Sequence, residues 1–307
     1  MNPDELEMLR GWATGLLSAG RGANLVDELE ESEFGSEVLA SPQVAGMLFE
    51  LHGSLCAVSP LLDRYVLRTA GHVVLGLSGR AAARLDGDQV VLDGVAFGSD
   101  SSFVVGLDDG TSGVLTSLSV SLLGLPPAAG FDPASGLVRL QCRVAVDDVE
   151  TIDVAADVLT ARAARAIAHQ LVGVAEAART VAVRHVQERH QFGRPIGAFQ
   201  SVRHRLADAL IAETGARELL ALAGEPADPV VERLVLKATA GRAALLSVQA
   251  AQQVCGAMGF TEEFGLHRLV RRAYVLDALL GSSEDAEDDL AVEALARGVA
   301  PLVSIGL

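Results

Sequence analysis

The stretch Gln187-Glu188-Arg189-His190-Gln191-Phe192-Gly193-Arg194-Pro195-Ile196-Gly197-Ala198-Phe199-Gln200 decides how this chain is read. Arg189 offers a planar guanidinium that fits a diphosphate, and Phe192 sets an apolar face near it. Gly193 and Pro195 turn the chain sharply, and helical periodicity flanks the turn on both sides. Residues 158–187 precede it and residues 202–223 follow it, both with apolar positions at helical spacing. Taken alone, an Arg ahead of Phe-Gly is also what an ordinary interhelical turn with a solvated arginine looks like.

Working outward, Gly224-Glu225-Pro226-Ala227-Asp228-Pro229 ends the second helix, and Asp228 followed by Pro229 predicts an N-cap for a third over 229–258. That third helix is apolar on most sides, as a helix buried in a bundle or an interface must be. Its end carries Gln253-Val254-Cys255-Gly256-Ala257-Met258-Gly259-Phe260-Thr261-Glu262-Glu263-Phe264, where Gly256 and Gly259 let backbone approach a partner or ligand. A fourth helix is predicted over 284–299. Upstream the texture changes. Short β-branched runs at 72–77, 81–85, 90–92, 102–107, 113–120 and 137–146 read as strands, with hairpin turns at Asp86-Gly87-Asp88 and Asp108-Asp109-Gly110. The first 65 residues return to helical spacing. Leu6, Leu9, Ala13 and Leu16 or Leu17 mark one helix over 4–17. Ser41 and Pro42 open another over 42–58, with Val44, Met47, Leu48 and Leu51 inward. The expected fold is therefore α+β, mainly α: a helical domain over 1–66, a small β-domain over 67–150, and a four-helix bundle over 151–307.

Composition narrows the function. The net charge of −16 repels phosphate backbones, so nucleic-acid binding is not expected. Charged residues interrupt every long apolar stretch, so no membrane span is expected, and the acidic start lacks the basic and apolar regions of a secretory signal. The expected location is cytoplasmic. Cys56, Cys142 and Cys255 stand far apart, and the seven histidines form no HExxH, so no disulfide framework or zinc site is indicated. His185 and His190, five positions apart, read as surface residues. Lys237 is the only lysine among 24 basic residues.

Together the two quoted segments resemble the acyl-CoA dehydrogenase family. The first, running into Val202-Arg203-His204-Arg205-Leu206-Ala207-Asp208, is similar to the family's R-x-x-F-G-x-P-I-x-x-F-Q followed by H-x-L-A-D. The second, continuing through Leu266, Arg268, Leu269 and Arg271-Arg272-Ala273, is similar to Q-x-x-G-G-x-G-F-T-x-E followed by L-x-R-x-x-R-D-A. The resemblance implies a three-part fold and FAD as cofactor. It also implies that Arg189, Gln191, Phe192, Gln253 and Gly256 reach across a dimer interface to an FAD in the neighbouring subunit. Family members oxidise the Cα–Cβ bond of an acyl-CoA: a carboxylate removes the α-proton while hydride leaves the β-carbon for flavin.

Such a base must be a desolvated carboxylate. The family keeps a Glu twenty residues past its glycine–phenylalanine pair, and counting from Phe260 reaches Leu279-Leu280-Gly281-Ser282. Leu280 stands at that position and accepts no proton. Relatives that place the base on the first bundle helix would have it at Ala163 or Ala164. Glu284, in the acidic run that follows, is the alternative base. The family's flavin-contacting T-E-P-x-x-G-S-D loop is missing, since Gly98-Ser99-Asp100 lies past the relevant strand, and the N-terminal domain is short. The resemblance therefore implies a base-lacking subunit that shares FAD with a full-length homologue in an α2β2 acyl-CoA dehydrogenase, as in bacterial steroid catabolism, with the acyl-CoA bound mainly by the partner. A homo-oligomeric enzyme using Glu284 and a non-enzymatic scaffold are the other readings.

Overall fold

The computed structural model describes residues 3–32, 41–57, 62, 65, 72–77, 82–97, 103–107, 112–115, 130–222 and 228–298. The turn expected at 108–110, the Gly98-Ser99-Asp100 triplet, most of the expected strand over 113–120 and the break at 223–227 lie outside the described residues. Among the described residues no helix is long and apolar enough to cross a membrane, and no cluster of three or more His, Cys, Asp or Glu could hold a metal ion.

Helix α1 (Pro3–Ser18) buries Leu9, Ala13, Leu16 and Leu17, the face its spacing predicts, and is followed by α2 (Leu25–Glu31) and α3 (Pro42–Ser54). Pro42 occupies the first turn of α3, but the Ser41 side chain makes no cap bond. Its carbonyl instead accepts the Ala45 N–H at 3.0 Å.

Seven strands follow: β1 (His72–Val73), β2 (Ala83–Asp86), β3 (Gln89–Phe97), β4 (Phe103–Gly106), β5 (Ser112–Leu115), β6 (Leu137–Ala145) and β7 (Val149–Ile152). They form one sheet ordered β1-β4-β5-β7 and another ordered β2-β3-β6. Among the described residues only the β1–β4 pair is parallel. Gly87 turns β2 into β3 with φ +66° at the first central position of a two-residue hairpin. Strand β3 runs well past the predicted 90–92, and Gly94 within it is a point of close approach. A Cβ there would stand 2.7 Å from the Leu75 carbonyl, and Leu75 bridges Val95 across that gap. Val90, Leu92, Val105, Leu140 and Val144 make an apolar core shared by the two sheets.

The remainder is α4 (Ala156–Glu188), a hairpin of β8 (His190–Gln191) and β9 (Arg194–Pro195), α5 (Gln200–Leu222), α6 (Pro229–Cys255), α7 (Leu266–Ala278) and α8 (Ser283–Ala296). Helix α7 adds a fifth member to the four predicted. Its buried Leu266, Leu269, Val270, Ala273 and Leu276 have the i, i+3, i+4, i+7 spacing of an amphipathic helix, so the signal was present in the sequence. Asp228 caps α6 as expected, accepting the Val231 N–H at 3.1 Å.

Helix α4 packs most extensively on α6 and α3. Against α3 the backbones nearly touch: a Cβ at Gly53 would stand 1.9 Å from the Gln170 carbonyl, and one at Gly173 would stand 1.9 Å from the Glu50 carbonyl. A polar network closes the same seam. Glu50 meets His169 at 3.2 Å and Arg217 at 3.3 Å. Arg217 also binds Glu176 at 3.0 Å and the fully buried Glu213 at 2.9 Å, and Arg179 binds Glu213 at 2.7 Å. Burial pushes the Glu50 carboxyl upward, but His169 and Arg217 outweigh it and hold the group below its ordinary range.

Arg272, on α7, joins segments far apart in sequence. Its guanidinium donates to Asp132 at 2.7 Å and to the carbonyls of Ala57 at 2.9 Å, Ala134 at 3.2 Å and Cys56 at 3.3 Å. Beside it His52 is buried, and burial together with the Arg272 charge pushes its imidazole down to about 3.

Two stability predictions follow from this packing. Gly173→Ala should destabilise by about 2–3 kcal/mol or more because backbone cannot yield to the added carbon. Gly11→Ala, in exposed α1 with nothing within 4 Å, should instead stabilise by roughly 0.5–1 kcal/mol. Denaturant unfolding of both variants measures the contrast. The second concerns His52, which is neutral when folded but protonates below its ordinary value when unfolded. Its contribution is complete above pH 6.5 and is lost as pH falls towards 3, about 2 kcal/mol of it by pH 5. Melting of His52→Gln should therefore fall less steeply than wild type between pH 7 and pH 5.

Candidate functional site

The residues singled out in the sequence separate onto two ends of the bundle. At one end α4 stops at Arg189, whose N–H still donates to the His185 carbonyl at 2.9 Å while its own carbonyl accepts from Ile196. The Arg189 side chain is exposed and pairs with no carboxylate among the described residues. Its charge, after burial, helps hold the half-buried His185 below the ordinary imidazole value. His185 was expected on the surface, but its ring packs edge-on against Phe264 at 5.5 Å. His190 is exposed.

Phe192 and Gly193 form the two-residue tip of the β8–β9 hairpin, with φ values of +51° and +79°. This is the geometry of a type I′ turn, which Asn-Gly fills cheaply and phenylalanine does not. Yet the Phe192 ring is 90% exposed and meets Phe199 only edge-on at 6.1 Å. Arg194, next along, lies over the Phe199 ring at 4.2 Å and braces the hairpin. Gln191 is also exposed.

Gln253 is exposed in the last turn of α6. Gly256 ends that helix with φ +59° and ψ −140°, a conformation open mainly to glycine, and a Cβ there would meet nothing within 4 Å. The His185–Phe264 contact places this turn at the same bundle end as the hairpin. That end therefore presents an exposed guanidinium, two amides, a projecting phenyl ring and a side-chain-free stretch of backbone. Such a set fits a flat, diphosphate-bearing cofactor: Arg189 for the diphosphate, Phe192 for an apolar ring face, Gln191 and Gln253 for polar edges, and Gly256 for close backbone approach.

The opposite end holds Leu280. It has φ +61°, lies 91% buried within the apolar core, and its N–H donates to the Gly76 carbonyl at 2.9 Å. Leu77 bridges Leu279 beside it, and Arg233 donates to the Leu280 carbonyl at 3.3 Å. Ala163 and Ala164 are fully buried. Glu284 is exposed in the first turn of α8, where Ser282 and Asp285 make a capping box, so it lacks the desolvation that proton abstraction from carbon requires.

Sequence reading missed what fixes this loop. Lys237 is fully buried and donates to the Leu276 carbonyl at 3.0 Å and the Asp277 carbonyl at 2.9 Å. Burial brings its amine down to about 8, against the opposing pull of Asp277. Asp277 accepts the Ser283 N–H at 3.1 Å, in space left by Gly241, where a Cβ would stand 2.1 Å from the carboxylate. The available signals were a single lysine in the chain, and an arginine, Arg272, where the R-D-A motif has an acid.

Arg233 contacts Leu280, and Gln253 lies twenty residues later on the same helix, so the two ends stand about 30 Å apart.

Comparison with known proteins agrees with this architecture. The family model for "Acyl-CoA dehydrogenase, C-terminal domain" matches residues 154–295. IpdE2 of Mycobacterium tuberculosis, an acyl-CoA dehydrogenase, is 31% identical over 271 residues, covering 87% of this chain and 77% of that protein. Cyclohex-1-ene-1-carbonyl-CoA dehydrogenase of Geobacter metallireducens is 34% identical over 122 residues, covering 38% of this chain and 32% of that enzyme. The fold is that of the solved steroid ACAD Tcur3481-Tcur3483, at TM-score 0.71 and 21% identity over 96% of this chain and 98% of that one. It is equally that of the ChsE4-ChsE5 complex from Mycobacterium tuberculosis, at TM-score 0.71 and 18% identity over the same shares. The fold is that of the acyl-CoA dehydrogenases, a family that generally binds FAD. The chain belongs to the acyl-CoA dehydrogenase family.

Replacing Phe192 by Asn relieves a strained turn and removes no buried area. Phe192→Asn should raise the stability of the isolated chain by about 0.5–1 kcal/mol, read from its denaturation midpoint.

Proposed function

We propose that this chain is a subunit of a heteromeric, FAD-dependent acyl-CoA dehydrogenase and lends Arg189, Gln191, Phe192, Gln253 and Gly256 to an FAD held by a catalytic partner. The observation that carries this reading is the contrast between the two bundle ends. One end keeps an exposed, ligand-ready set; at the other, about 30 Å away, a buried leucine stands in the loop, and the buried carboxylate there, Asp277, is taken up by the Ser283 N–H. A set so distant from its own chain's Leu280 serves a neighbour.

When bound, the FAD supplies the hydride acceptor for α,β-dehydrogenation of a CoA thioester. This chain's residues bind and orient it. Arg189 neutralises diphosphate charge, Phe192 shields a ring face from water, and Gly256 leaves room for the cofactor to lie against backbone. The proton-abstracting carboxylate comes from the partner, a full-length homologue, in an α2β2 assembly in the cytoplasm. The names of the similar structures, a steroid ACAD and a ChsE4-ChsE5 complex, support a steroid-derived CoA thioester as substrate and a heteromeric state. The division at residues 66/67 and 150/151 belongs to the same proposal: a short N-terminal helical unit, a reduced β-unit and a bundle kept for dimerisation and cofactor.

Purification of the chain alone and with a base-bearing homologue tests the proposal. Flavin and turnover should require the pair, and either one from this chain alone would contradict it. Within the pair, Arg189→Ala should lower FAD retention on gel filtration by tenfold or more, the loss of a charge-assisted diphosphate contact. Unchanged retention would remove Arg189 from the site.

A further inference from the structure

His185 lies in the last turn of α4, four positions before Arg189 and therefore its neighbour on the helix surface. Its ring is half-buried and stands edge-on to Phe264 at 5.5 Å. Neither ring nitrogen makes a hydrogen bond among the described residues, no carboxylate there pairs with the imidazole, and neither nitrogen is sealed from the surface. The flavin-facing end thus holds an imidazole whose polar atoms have no use within the chain.

The flavin set leaves a charge unanswered. A diphosphate carries a negative charge on each phosphorus, and Arg189 supplies a single positive one. Gln191, Phe192, Gln253 and Gly256 supply none. The end of α4 adds to the deficit, because the carbonyl end of a helix is its negative pole and repels an anion. A second cation is needed, and the other candidates nearby are engaged or turned away. Arg194 lies over the Phe199 ring, Arg203 donates to the Gly197 carbonyl, and His190 faces the Glu188 carbonyl. Arg184 directly precedes His185 and so points about 100° away round the helix.

The surroundings of His185 set its response. Burial and then the Arg189 charge hold the imidazole below its ordinary value, with Glu188 pulling weakly the other way. The segment that carries Phe264 brings the exposed Glu262, Glu263 and Arg268 and the half-buried His267. The end of α6 brings the uncharged Gln252 and Gln253, and the Cys255 thiol, which burial pushes up to about 11.

Resting on the flavin reading above, we infer that His185 is a further cofactor-binding residue of this chain: its imidazole takes up a proton from water when the diphosphate settles on Arg189, and the imidazolium N–H donates to a phosphate oxygen. The diphosphate offsets the Arg189 charge that now opposes protonation, and the negative pole of α4 favours the imidazolium. Binding and protonation therefore strengthen each other. FAD is held more tightly as pH falls through the imidazole range.

The FAD-loaded pair of this chain and its base-bearing homologue, diluted at several pH values and read by flavin fluorescence, gives the FAD Kd at each. Wild-type Kd should rise about tenfold from about pH 6 to about pH 8. His185→Phe keeps a ring against Phe264 but cannot take a proton, so its Kd should stay at the weak value throughout. His185→Arg carries a fixed charge and should hold FAD at the tight value throughout. A wild-type Kd that does not change with pH would overturn the inference. So would a His185→Phe Kd that climbs as steeply as wild type, or a His185→Arg Kd as weak as that of His185→Phe. Arg189→Ala separates the two readings. An unchanged Kd in that variant removes the flavin reading itself, whereas a weakened Kd beside a wild type flat in pH removes only His185.

Discussion

The helical bundle is arranged along helix α4, thirty-three residues or about 50 Å of largely buried helix. Its interior positions are mostly alanine, valine and glycine, which lets α3 pack almost backbone to backbone upon it and α6 pack along it. The straight, close packing has a consequence for chemistry. What sits where α4 ends cannot reach what sits where it begins, so the hairpin of Arg189 and the loop of Leu280 are independent sites on one rigid scaffold.

The Leu280 end is a loop held from several sides. Lys237, Asp277 and Ser283 hold the loop through buried hydrogen bonds, and Gly76 and Arg233 bind the Leu280 backbone. A non-glycine residue at positive φ costs about 1 kcal/mol or more, and here five polar contacts hold it in place. The side chain is apolar and the backbone geometry is pinned. At the other end the logic is reversed. Phe192 also sits at positive φ, yet almost all of its ring faces water. Strain kept with no burial in return is evidence of a contact made elsewhere.

Much of this was legible in the sequence for local reasons. Arg189 through Gln200, Gln253 through Phe264, the Asp228 cap and the β-branched runs each declare themselves within a dozen residues. Element boundaries and long-range partners did not. Strand β3 passes through Gly94, beyond the expected run at 90–92, where Leu75 lies against it. Helix α7 has clear apolar spacing at Leu266, Leu269, Val270, Ala273 and Leu276, interrupted by the charged pair Arg271-Arg272. Arg272 and Lys237 could not be placed, because their partners are carbonyls and an aspartate contributed from segments distant in the chain. A side chain's type is local information, and what it is buried against is not.

The central claim is that the flavin this chain helps to hold belongs to another subunit. Flavin absorbance set against protein mass, in the purified pair of this chain and its base-bearing homologue, measures it directly. The account predicts one FAD for each pair of unlike chains, and two FAD per pair, one in each chain, would contradict it.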